Sequence, residues 1–73
     1  MVARDKPETG TIEKWWADRG YGFITPDLGG REIFFHFNSI CDRSFFPTRG
    51  ARVSFVLSTG RSGRQHADEV APA

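Results

Sequence analysis

The chain has a single cysteine, Cys41, and no long apolar run among its 73 residues. One cysteine excludes an internal disulfide and fits a reducing compartment. No stretch approaches the ~20 apolar residues needed to span a bilayer. Met1–Gly10 is polar and does not read as a secretory leader. These absences predict a cytoplasmic protein with no membrane partner. Charge of one sign is scarce as well: ten Lys and Arg oppose nine Asp and Glu, for a formal net charge of +1. The cations are spread from Arg4 to Arg64 without a run, which excludes a disordered basic tail. Local patches say more about partners than this total does.

Catalytic groupings are missing too. There is no nucleophile paired with a base, no phosphate-binding glycine loop and no carboxylate pair of defined geometry. The sequence therefore predicts no enzyme, no catalytic residue and no small-molecule substrate. His36, His66 and Cys41 are scattered without metal-type spacing, so neither a metal nor another cofactor is expected. Cys41 reads as a small residue near a turn.

No window carries a sustained 3.6-residue apolar period. Turn residues instead punctuate short segments rich in β-branched and aromatic residues, the pattern of strands. Five are predicted, over Gly10–Ala17, Tyr21–Thr25, Arg31–Phe37, Ala51–Ser58 and Arg64–Val70. Pro26–Gly30 has the chemistry of a hairpin loop, and a helical turn is expected near Ser39–Cys41. Residues 1–8 read as a flexible arm and 9–71 as one domain. Five short strands without room for helices predict an all-β fold, a small antiparallel barrel, because closure removes exposed edges.

What the chain does have is aromatics, at 14% with seven Phe and two Trp. A domain this short buries only about 60% of its unfolded surface and cannot hide them all. Two runs stand out, Gly20-Tyr21-Gly22-Phe23-Ile24 and Ile33-Phe34-Phe35-His36-Phe37. Side chains alternate across a strand. With Ile24 inward, Tyr21 and Phe23 face out. With His36 on the solvated side, Phe34 faces out beside it, while Ile33, Phe35 and, by strict alternation, Phe37 face in. Val53, Phe55 and Leu57 join the inward set. Adding Tyr21, Phe23 and Phe34 to that set would overfill the barrel. Gly20 and Gly22 offer no side chain to obstruct a ligand lying on the sheet.

At these residues the chain resembles the cold-shock domain, a five-stranded barrel of the OB type. That family carries a motif close to Lys-Gly-Phe-Gly-Phe-Ile, matched by Arg19–Ile24, and one close to Val-Phe-Val-His-Phe, matched by Ile33–Phe37. Thr25-Pro26-Asp27 and Gly29-Gly30 resemble its hairpin. The resemblance runs from about Gly10 to Val70. It implies a base-stacking platform of Tyr21, Phe23, Phe34, His36 and Phe37, moving Phe37 outward, and it adds Phe45 in the following loop. Strand one departs from the common pattern. A less common branch aligns Gly10, Ile12, Trp15 and Arg19 without a gap, which favours Trp15 as the platform residue. Trp16 then packs elsewhere unless a bulge intervenes. That branch often carries a hydrophobic membrane segment; none is seen here, so a soluble protein is expected.

The function this implies is sequence-tolerant binding of single-stranded RNA or DNA, as a monomeric nucleic-acid chaperone or cold-shock-type regulator. Lys14, Arg19, Arg31, Arg61 and Arg64 are candidate phosphate contacts, Lys14, Arg19 and Arg64 foremost. Glu13 stands where many relatives have Lys, which weakens phosphate attraction. The competing reading is a protein- or peptide-binding barrel that uses the same aromatic face.

Overall fold

The computed structural model describes residues 7–42, 44–60 and 63–73. The expected arm lies outside the described residues up to position 6, as does the candidate cation Arg61. The strands are β1 Glu8–Trp16, β2 Tyr21–Pro26, β3 Ile33–His36, β4 Arg52–Thr59 and β5 Gln65–Pro72, with one 3-10 turn at Phe37–Ser39. They close into a barrel in the order β1-β2-β3-β5-β4. The predicted five-stranded architecture is present, with one qualification. Four pairings are antiparallel, and the closing pair, β3 with β5, is parallel. The helical turn starts two residues earlier than expected, which shortens β3.

Ile12, Ile24, Ile33, Phe35, Val53, Phe55, Ala67 and Val70 fill the interior. Strict alternation would not put both Ala67 and Val70 inside, since they are three apart. Glu69 adopts a left-handed φ of 50°, and the β4–β5 register slips between Ser54 and Val56. A bulge in β5 absorbs the odd residue and returns Val70 to the core. Leu57, expected inside, is half-buried and packs on the margin of the core.

A second irregularity lies in β1. Ile12 pairs with Ile24, yet Lys14 pairs with Phe23, so Glu13 is an extra residue. Side-chain direction has a period of two, so one inserted residue inverts the facing of everything after it. Lys14 and Trp16 therefore point out, and Trp15 points in.

One polar cluster ties the β2–β3 loop to β4 across β1. Both terminal guanidinium nitrogens of Arg52, Nη1 and Nη2, donate to Asp27, each at 2.6 Å. Thr9 Oγ1 donates to Asp27 Oδ2 at 2.5 Å, and Arg52 also donates to Thr11 Oγ1 at 3.1 Å. The Arg52 bonds, then the Thr9 bond, hold the Asp27 carboxyl well below its ordinary value of 3.8. A carboxylate with a depressed native pKa stabilises the fold fully above its unfolded pKa. That contribution is lost as the pH falls through the unfolded value toward the native one. Asp27→Asn should lower the melting temperature at neutral pH and flatten its decline between about pH 5 and pH 2. An acid decline as steep in the variant as in the wild type would show that other carboxylates carry it.

Candidate nucleic-acid interface

The outer face of β1, β2 and β3 is paved with rings. Register explains why. The Ala17–Gly20 turn sets Trp16 opposite Tyr21, and β2–β3 pairing sets Phe23 opposite Phe34 and Tyr21 opposite His36. Directly paired side chains share a face. Ring centroids are 5.4 Å apart for Trp16–Tyr21, 5.5 Å for Tyr21–Phe34, 5.8 Å for Phe34–Phe23 and 6.0 Å for Phe23–Trp16. The four contacts form a closed circuit, and each spacing lies within the favourable range for aromatic pairs. The rings therefore prop one another in place while their outward surfaces stay available; Trp16 is 39% exposed.

His36 is exposed beside Tyr21. Its Nδ1 accepts the Asn38 N–H at 3.1 Å and caps the 3-10 turn, so the orientation of the ring is held from its own backbone. Phe37 is 55% exposed. Alternation would have put it inside, but β3 ends at His36 and the chain turns. The Phe37 N–H then donates to the Gly20 carbonyl at 2.8 Å. Gly20 adopts φ 76°, a conformation side chains disfavour.

Lys14 stands opposite Phe23, its Nζ 6.0 Å from that ring's centroid and 3.7 Å from Glu32 Oε1. Arg19 is exposed in the β1–β2 turn. Arg64 does not join the platform: it lines, with Arg31, Glu32 and Gln65, a groove that none of the four rings borders. Phe45 is half-buried against the core and shares a groove with Phe37. Its neighbour Phe46, not singled out in the sequence, is 74% exposed.

Trp15 requires correction. Expected on the platform, it pairs with Gly22 and turns inward because of the Glu13 bulge. Its indole stacks on Phe35 at 5.5 Å and an interplanar angle of 13°. A Cβ on Gly22 would stand 3.1 Å from Trp15 Cε3, 3.1 Å from Phe35 Cε1 and closer still to the Lys14 carbonyl. Gly22 is thus a glycine for the sake of the interior, not to clear space for a ligand. The Trp15 Nε1–H is buried without a partner among the described residues. Such a loss costs about 1–3 kcal/mol. The ring is partly buried against the core, and its apolar contact with Phe35 offsets that loss. Hairpin register counted back from the Asp18-Arg19-Gly20 turn, rather than the family alignment that favoured Trp15, would have found Trp16 opposite Tyr21.

Comparison with known proteins bears on this surface directly. The family model described as the 'Cold-shock' DNA-binding domain matches residues 8–73. The chain belongs to the cold-shock domain family. It is similar to cold shock protein CspV of Vibrio cholerae, with 43% identity over 65 residues covering 86% of this chain and 91% of that one. It is similar to cold shock-like protein CspA of Bordetella pertussis, with 44% identity over 59 residues covering 80% and 88%. Among solved structures, Drosophila Unr CSD456 superposes with a TM-score of 0.81 at 28% identity; the match covers 94% of this chain and 27% of that longer one. Cold-shock domains are nucleic-acid-binding modules, not enzymes, and the ring-paved face suits that chemistry. Among the described residues no helix is long and apolar enough to cross a membrane.

Two outcomes test this geometry. With Trp15→Phe, the remaining Trp16 emission should be strongly quenched by an oligothymidine, whereas with Trp16→Phe the remaining Trp15 emission should barely respond. Equal quenching of the two would overturn the inward assignment of Trp15. Gly22→Ala should destabilise by at least the top of the ~1–3 kcal/mol range for overpacking, because backbone as well as rings must move. Urea unfolding reads this, and a near-neutral result would refute the close approach.

Proposed function

We propose that this protein binds single-stranded RNA or DNA by base stacking on the outer face of β1–β3, with little demand on sequence, and acts as a nucleic-acid chaperone. The observation that carries the reading is the closed circuit of Trp16, Tyr21, Phe23 and Phe34. Every base has a π face, and a stack on an aromatic contributes about 1–3 kcal/mol by alanine substitution. A duplex hides those faces. The platform therefore selects unpaired strands and opposes secondary structure, the action expected of a regulator of transcription or translation in the cold. Stacking does not read the 2′-hydroxyl, so RNA and DNA are both ligands of this surface.

His36 and Phe37 extend the row, and Phe45 flanks it. Lys14 and Arg19 hold phosphates at the margin. Arg64 and Arg31 contact backbone only where a strand continues past the platform. The protein works as a monomer in the cytoplasm, with a folded unit over residues 9–71, and takes no small-molecule substrate.

Phe23→Ala and Phe34→Ala should each weaken oligothymidine or oligouridine binding about 5- to 150-fold, the range that one lost stack implies, while circular dichroism shows the fold intact. Two phosphate contacts, Lys14 and Arg19, predict a log–log salt slope of about −1.4. Unchanged affinity in both folded variants sinks the platform. No binding of pyrimidine oligonucleotides at low salt would transfer the aromatic face to a peptide partner.

A further inference from the structure

The ring-bearing rows do not stop at β3. β5 runs parallel beside it, with His66 in register with Phe34. Ala67 is fully buried and His66 only partly, so His66 points to the outer side, as Phe34 does. Lys14, Phe23, Phe34 and His66 thus form one lateral row across β1, β2, β3 and β5. With neighbouring strands about 4.8 Å apart, the row spans roughly 14 Å. Phe34 has ring contacts with Tyr21 and Phe23, both on β2; its β5 side is where His66 lies.

The described surroundings of His66 leave its ring available. Gly60 lies alongside: a Cβ there would stand 3.8 Å from Nδ1 and 3.9 Å from Cε1. Gly60 is itself held by its N–H, which donates to the Arg64 carbonyl at 2.9 Å. Among the described residues no hydrogen bond or ion pair engages the imidazole. A half-buried ring, unengaged among the described residues, at a registered outer position next to a bare glycine, is poor core material and a suitable surface for one more base.

We propose that His66 is a further stacking residue, which takes the base of the nucleotide following the one on Phe34, on the β5 side. This inference rests on the platform reading above and deepens it: the strand crosses β3 onto β5, so the bound segment is one nucleotide longer than β1–β3 alone accommodate.

The test is an oligothymidine length series, titrated at one fixed pH and ionic strength, with the His66→Lys variant separating stacking from charge. His66→Ala should weaken binding of long oligonucleotides at least about fivefold, the low end for one stack, and leave the shortest binders unaffected, removing the gain from the last added nucleotide. His66→Phe should restore both affinity and length dependence. Phe23→Ala is the control for the underlying reading. If Phe23→Ala weakens binding and His66→Ala does not, the inference is wrong and the platform stands. If neither does, the platform itself is wrong. Recovery with His66→Lys as complete as with His66→Phe would overturn stacking in favour of a phosphate contact.

Discussion

Two tryptophans follow one another in β1, and a strand can place only one of them on each face. The extra residue at Glu13 decides which. Without it, the strand that carries Ile12 inward would carry Lys14 and Trp16 inward too. A lysine ammonium would enter an apolar interior, where an unpaired charge is prohibitively costly, and Trp15 would stand alone outside. The bulge instead sends Trp15 against Phe35 and Gly22, and delivers Lys14 and Trp16 to the rings of β2. Core and surface are thus set by the same single residue. Gly22 is the matching concession on the facing strand, since a Cβ there would run into the Lys14 carbonyl and press on the Trp15 and Phe35 rings.

Partial exposure of four large aromatics on one face would normally favour collapse or self-association. Here each ring gains contacts from its neighbours, so part of the apolar surface is removed from water sideways while the outward faces stay open. Pairwise aromatic contacts contribute about 0.5–1.5 kcal/mol beyond area burial, which limits the cost of keeping the platform in the free protein. The rings are also ordered before ligand arrives. A preorganised surface loses less side-chain entropy on binding than one whose rings must be immobilised. Placing the rings on paired strands, rather than on a loop, is what makes that possible.

Much of this was legible in the residues. The two Gly-aromatic runs mark adjacent strands, and alternation from Ile24 and His36 separates Phe35 from Tyr21, Phe23 and Phe34 correctly, because β2 and β3 are regular through those positions. Strand ends were legible to within about two residues. What eluded the sequence is where regularity breaks. Phe37 leaves the alternation because the chain turns after His36, and only the family resemblance, not the alternation, places it outside. Val70 re-enters the core because Glu69 takes a left-handed conformation. Trp15 and Trp16 exchange faces because of a bulge that no residue type announces: Glu13 is neither glycine nor asparagine. A family match helps little there, since residue identities can align while facing is decided by one inserted position. His66 was hidden for a different reason. It is distant in sequence from both aromatic runs, and only the parallel closure of β3 on β5 brings it into their row.

Stability and recognition draw on separate groups. The polar cluster of Asp27, Arg52, Thr9 and Thr11 ties β1, the β2–β3 loop and β4, and involves none of the platform residues. The platform draws its charge from few groups. Lys14, the cation closest to a ring, is shared with Glu32 at 3.7 Å, and an exposed pair of this kind contributes at most about 1 kcal/mol. A phosphate can therefore displace Glu32 at little cost, but Lys14 alone supplies little of the affinity. Beside the rings Lys14 is already paired with Glu32, and the cations of the chain are spread without a run, so little local field holds a strand non-specifically. Attraction has to come from the flat surfaces of the rings, which only an unpaired base can meet, so preference for single strands follows from the weakness of the charge as much as from the presence of the aromatics.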